Sequence, residues 1–312
     1  MEILSTIFPI FILMAIGWVA RKNGFIPPEF LSPGNRITYY LAIPALIFRA
    51  ISKGSFTHQF NVTVLFITLG SASTAYFIAW AVCLYRRTSG SRTGSFIQSA
   101  GHGNLGYIGL PVSFYFLGDS GLIQTSIIAG FLMILQNVFS VFFLQIHAAK
   151  GEAILNFRDL ARRIVGNPVI VSAMSGILFS VLELPVPQVF QRTLDMLGGL
   201  APPMALLLIG ASLSLDGLRN HFRPVMGAVV IKLGILPAIG LMLYTYFNLK
   251  ATEFLPGFIL LACPTATIAY VMSKEMKADP DFAVSTISAS TLLSAGTFTL
   301  WLMFIHFLIL SG

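Results

Sequence analysis

Two short stretches set polar and helix-breaking residues inside otherwise apolar sequence. Residues 101–111 read GHGNLGYIGLP, and residues 262–270 read ACPTATIAY. Proline lacks a backbone donor and clashes with the preceding helical turn. In hydrocarbon the freed backbone groups need other partners, so such breaks belong where the chain lines a cavity or packs within protein. The chemistry on offer is anion binding. A half-helix N-terminus presents free N–H groups and a partial positive charge, which suits a carboxylate. Breaks at Gly109–Pro111 and Cys263–Thr265 would supply such termini, and Asn104, Thr265 and Thr267 would add side-chain donors. Each side chain also has a plainer role: Asn104 can cap a broken helix, and the threonines can bond back to their own helix.

Five ionisable or polar positions extend this picture. His102 could titrate near neutral pH and couple protons, or simply pack beside the break. Lys232 stands roughly nine residues, or about 13 Å of helical rise, inside the apolar run that follows Arg223. A lysine at that depth is costly and marks a functional position by default. It could stand in for a sodium ion near the breaks, or snorkel to the nearer surface. Asp195 can pair with Arg192 at i, i+3, or face a cavity. Gln136 and Asn137 are polar positions in another apolar run and could line the same core.

Several chemistries are excluded. Residues 96–117 and 254–274 contain no Asp or Glu, so neither break carries the carboxylate on which a sodium–proton antiporter exchanges its ion. The chain has no HExxH and no pair of mid-run aspartates suited to an aspartyl protease. Its two cysteines, Cys83 and Cys263, lie apart in apolar runs and suggest neither a disulfide framework nor a zinc site. No enzyme and no cofactor are expected.

The elements that position these residues follow from composition. The 312 residues are 56% hydrophobic and 10% charged, with mean hydropathy +0.83. A soluble domain carries roughly 25% charged residues. The expected fold is all-α and integral to a membrane, with about ten crossings at about 20 apolar residues each. Apolar runs fall at 3–20, 30–50, 60–85, 95–117, 121–147, 168–185, 188–214, 224–247, 254–274 and 282–310. Glu2 precedes the first run and Arg21-Lys22 follow it, the reverse of a secretory signal, so it is expected to be a retained span.

The net charge of +7 comes from basic residues scattered between the runs, which fits no nucleic-acid surface. With the N-terminus outside, thirteen Lys and Arg fall in inside loops and four in outside loops, Arg36 and Lys232 lying within runs. Basic residues near span ends stay on the inside. Both termini are therefore expected outside, in the plasma membrane (the inner membrane of a bacterium).

The linker 148–167 divides the chain into residues 1–147 and 168–312, with five runs each. An odd number per half makes the second half enter from the opposite side, so two related halves form an inverted repeat. LAIPALIF around Pro44 is echoed by LAPPMALLLIGASL around Pro202 and Pro203, and the two broken stretches occupy matching fourth positions. Paired interrupted helices of this kind point to a transporter binding site.

Gly103-Asn104-Leu105-Gly106-Tyr107-Ile108-Gly109-Leu110-Pro111 resembles the GNxGxxGLP motif of the auxin efflux carrier family. Asn167-Pro168, PPMALLLIGASL, CPTATIAYVMSKEM and Ser290-Thr291-Leu292-Leu293-Ser294 resemble it too, so the likeness runs the length of the chain. The short central linker favours the bacterial branch over the plant auxin exporters. The resemblance implies two inverted five-helix repeats whose broken helices cross, as in the sodium–proton antiporter and bile acid transporter folds. It further implies a scaffold of the first, second, sixth and seventh spans, elevator-type transport of small organic anions such as carboxylates or auxin-like acids, and a homodimer. By likeness Asn104, Pro111 and Pro264 lie at the substrate site, with Gly103, Gly109, Thr265 and Asn137 beside them.

Overall fold

The computed structural model describes residues 2–53, 61–88, 90–147, 161–162, 165–214 and 221–311. The linker 148–167 lies mostly outside these residues, as do Lys150, Arg158, Arg163 and Arg219 of the charge count. Among the described residues every long element is a helix.

In the first half, α1 is Glu2–Lys22, α2 Pro28–Ile37, α3 Ile43–Lys53, α4 Val62–Tyr85, α5 Gly90–Gly101 and α6 Leu110–Ile146. In the second, α7 is Pro168–Val181, α8 Gln188–Ala211, α9 Phe222–Val230, α10 Leu236–Tyr246, α11 Ala251–Ala262, α12 Ile268–Glu275 and α13 Pro280–Ser311. Among the described residues, six continuous helical stretches are long and apolar enough to cross a membrane; α7 and α11 are apolar but shorter. Large apolar side chains such as Phe8, Phe66, Met196 and Leu300 stand on the outer surface. A soluble protein rarely exposes apolar area on this scale. The chain is a multi-pass membrane protein.

Leu105–Ile146 is 42 residues of continuous helix by its hydrogen bonds, about 63 Å at 1.5 Å per residue. That is twice the roughly 30 Å hydrocarbon thickness. Gly118 resolves the excess. Its φ of 69° and ψ of −164° break the helix where the fourth and fifth runs of the sequence part. No atom stands within 4 Å of where its Cβ would be, so the backbone conformation, not crowding, calls for glycine there.

Among the described residues, three five-residue π-helical turns interrupt the spans, at Thr38–Ala42, Leu105–Gly109 and Ile231–Ile235. Each leads into proline two residues on: Pro44, Pro111 and Pro237. The cause is local. Proline cannot donate to the carbonyl four residues back and its ring clashes with it, so the turn widens to i→i+5, as in Leu110 N–H to Leu105 O and Leu236 N–H to Ile231 O. Pro237 leaves Leu233 O without its helical partner, and Trp301 Nε1 of α13 donates to it at 2.8 Å.

Two sets of helices pack together, and α6 touches both, packing on α3 and α7 as well as on α5 and α11. Helix α8 packs on α1 and α3, and α3 packs on α7. Helix α4 packs on α5, α10 and α11, α5 and α11 pack on α6, and α9 and α12 pack on α13. Asp195 of α8 meets Arg49 of α3 in an ion pair. Spacing offered Arg192 as one partner for Asp195 or else a place facing a cavity; the ion pair with Arg49 reaches it from another helix.

Candidate functional site

The two broken stretches meet. Helix α5 ends at Gly101 and α11 at Ala262, and the chain runs extended through His102–Asn104 and through Cys263–Thr265. Gly103 and Thr265 form an antiparallel bridge. Asn104 N–H donates to Pro264 O at 2.8 Å, and Ala266 N–H donates to His102 O at 2.9 Å. Each break satisfies backbone groups that the other releases, which answers the demand that hydrocarbon places on an interrupted helix.

The side chains close the remaining valences unevenly. Thr265 is fully buried; its Oγ1 donates to Ser99 O at 2.8 Å, capping the end of α5, and its N–H donates to Ser290 Oγ at 3.1 Å. The threonine thus bonds across the crossing rather than back along its own helix. Asn104, 4% exposed, caps the following turn: its Oδ1 accepts from Tyr107 N–H at 3.3 Å. That bond assigns the oxygen, so the other amide atom is the donor Nδ2, and Nδ2 is buried without a protein partner among the described residues.

Lys232 is 0% exposed. Its Nζ donates to Leu261 O at 3.2 Å, on one of the carbonyls left open where α11 stops. A cation there also meets the negative end of that helix. It does not snorkel. A Cβ on Gly103 would stand 3.0 Å from Nζ, so only glycine lets the crossing approach the ammonium without displacing it. Gly109 serves close packing too, its Cβ position lying 3.0 Å from Cys263 Sγ and 2.9 Å from Leu260 Cδ2. His102, 4% exposed, shares a 2.8 Å hydrogen bond between Nδ1 and Ser140 Oγ. Ser140 Oγ in turn meets Tyr76 Oη at 3.1 Å.

A cavity of about 780 Å³ ends on this crossing. His102, Gly103, Asn104, Asn137 and Thr267 line it. Thr265, Gly109, Pro111, Pro264 and Lys232 do not; they lie behind its wall and shape the crossing. Sequence reasoning missed the outer lining: Asn35 and Arg36 of α2, Arg162 and Asn167 ahead of α7, Ser212 after α8 and Ser288 of α13. Arg36, a basic residue inside an apolar run, and Asn167 and Ser212, which lie in the family-like stretches, carried signals that could have marked them. These positions all sit beside the basic inter-helix segments, so the cavity opens at that end of the molecule. Among the described residues no three His, Cys, Asp or Glu side chains gather as a metal site.

Comparison with known proteins places the chain among membrane transporters. Residues 2–302 match the family described as "Membrane transport protein". A Rhizobium meliloti protein named "Putative malonate transporter" is 27% identical over 96% of this chain and 94% of its own length. A Methanothermobacter thermautotrophicus protein named "Uncharacterized transporter" is 23% identical over 95% of this chain and 96% of its own. The chain belongs to the membrane transport protein family, the auxin efflux carrier family of the motif, and is a membrane transporter rather than an enzyme.

Proposed function

We propose that the chain is a secondary transporter of small organic anions bearing carboxylates, described here in a state open toward the inside. One observation carries the reading: Asn104 Nδ2 is a buried donor without a partner among the described residues, on the wall of a cavity that ends at two crossed helix breaks. None of those residues answers that donor, whereas a carboxylate oxygen would. Arg36 and Arg162 on the same cavity favour entry of an anion, and they offer the two cationic contacts that a dicarboxylate needs. The name of the Rhizobium relative makes malonate the first acid to try.

In this reading Asn104, Thr267 and Asn137 contact the substrate. Gly103, Gly109, Pro111, Pro264 and Thr265 hold the crossing. Lys232 takes the electrostatic place of a coupling sodium ion, and His102 is the candidate proton carrier through Ser140. The architecture we infer is ten crossings in two inverted five-helix repeats, split at 148–167. The like order of α5, break and α6 in one half and of α11, break and α12 in the other supports it. The mutual packing of α1, α3, α7 and α8 supports their role, with α2, as the scaffold of an elevator. The exposed Val189, Phe190 and Met196 at the start of α8 would serve a homodimer. We place the protein in the plasma membrane with both termini outside.

The test is charge movement by purified protein reconstituted on a solid-supported membrane. Malonate, other mono- and dicarboxylates and indole-3-acetate would be applied with and without sodium, with radiolabelled counterflow to catch electroneutral exchange. The expected result is a saturable response to at least one acid, independent of sodium. No response in either assay from folded protein refutes the substrate class.

A further inference from the structure

A second cavity, of about 530 Å³, lies away from the crossing, between the C-terminal end of α4, α5, and α9 with its π-helical turn. Arg86, Arg92 and Arg223 line it together, and no Asp or Glu is among its lining residues. Arg92 Nε donates to Asp279 Oδ2 at 3.1 Å, outside the lining. Arg86 and Arg223 meet no carboxylate among the described residues. The rest of the wall is largely apolar and includes Val82, Val230 and Ile235. Val230 is 55% and Phe222 57% exposed, so part of this apolar wall stands on the outer surface of the protein.

A guanidinium cluster at the end of a span, over an apolar slot open to the side, complements an anionic headgroup above an acyl chain. Guanidinium binds phosphate with two parallel N–H donors, which an ammonium cannot do. A soluble anion would use the arginines but gain nothing from the apolar wall. We propose that this cavity is a binding site for an anionic phospholipid, with the phosphate on Arg86 and Arg223 and an acyl chain along Val230 and Ile235. The site is coupled to the crossing by its position. Ile231 and Ile235, the two ends of the turn that holds Lys232, both line the cavity. The bound lipid therefore packs against the backbone turn that sets the buried ammonium on Leu261 O.

Native mass spectrometry of the full chain from detergent tests this with phosphatidylglycerol and phosphatidylcholine of identical acyl chains. The protein should retain phosphatidylglycerol preferentially. In R86A/R223A that affinity should fall about 30-fold, from about 1 kcal/mol per basic residue near the surface and 1.4 kcal/mol per tenfold, with phosphatidylcholine unchanged. Equal retention of the two lipids by the unmodified protein, or equal phosphatidylglycerol affinity in the variant, overturns the proposal. So does inorganic phosphate binding as tightly as phosphatidylglycerol, which would make the ligand a soluble anion. A second measurement needs no variant. Phosphatidylglycerol with a photoreactive acyl chain should label peptides within 82–96 and 222–235, and labelling confined to other peptides overturns the assignment.

Discussion

Asn104 does two jobs with two atoms, and they can be separated. Its Oδ1 caps the turn at Tyr107 N–H, while its Nδ2 has no partner among the described residues. Asn104→Ala removes both. Asn104→Asp keeps the capping oxygen, removes the donor and adds a negative charge facing an anion. A hydrogen bond to a charged group contributes about 1.5–3 kcal/mol, so loss of the donor should weaken carboxylate binding about 10- to 100-fold. Loss of the cap should lower stability by about 1 kcal/mol, in Asn104→Ala alone. The assay is half-saturation of transport current in proteoliposomes, beside thermal unfolding in detergent. The expected pattern is weak binding in both variants and reduced stability only in alanine. Native affinity in a well-folded Asn104→Asp would refute the placement of the substrate carboxylate at Nδ2.

Three further outcomes follow from the same geometry. Lys232→Met leaves Leu261 O and the end of α11 without their cation, so transport should drop at least tenfold in choline medium, given about 1.5–3 kcal/mol for the lost bond, and recover in part with sodium; normal, sodium-indifferent transport would make Lys232 purely structural. Trp301→Phe leaves the carbonyl that Pro237 cannot serve unpaired in a buried setting, which should cost about 1–3 kcal/mol in unfolding with substrate affinity unchanged; unaltered stability would show that Leu233 O finds another donor. Gly118→Ala forces a side chain to a φ of 69°, at about 1–2 kcal/mol. A lowered midpoint in thermal unfolding is expected, and no change would mean that the chain turns there by another route.

Residue type and spacing alone determined much of this protein. A chain this apolar can hide its backbone polar groups only in helices, and the thickness of the bilayer sets their length. Proline and glycine inside such runs mark the breaks, which is why Asn104, Pro264 and the depth of Lys232 were legible without coordinates. Those rules act over a few residues. What spacing could not convey is which released group meets which partner from far along the chain. Only the fold set Thr265 Oγ1 on Ser99 O, Lys232 Nζ on Leu261 O, and Arg49 on Asp195. Only the fold gathered Arg36, Arg162, Asn167, Ser212 and Ser288 from four separate segments around one cavity. Such meetings depend on how helices pack side by side, where close approach and the pairing of buried polar groups decide the neighbours, and neither has a period in the sequence.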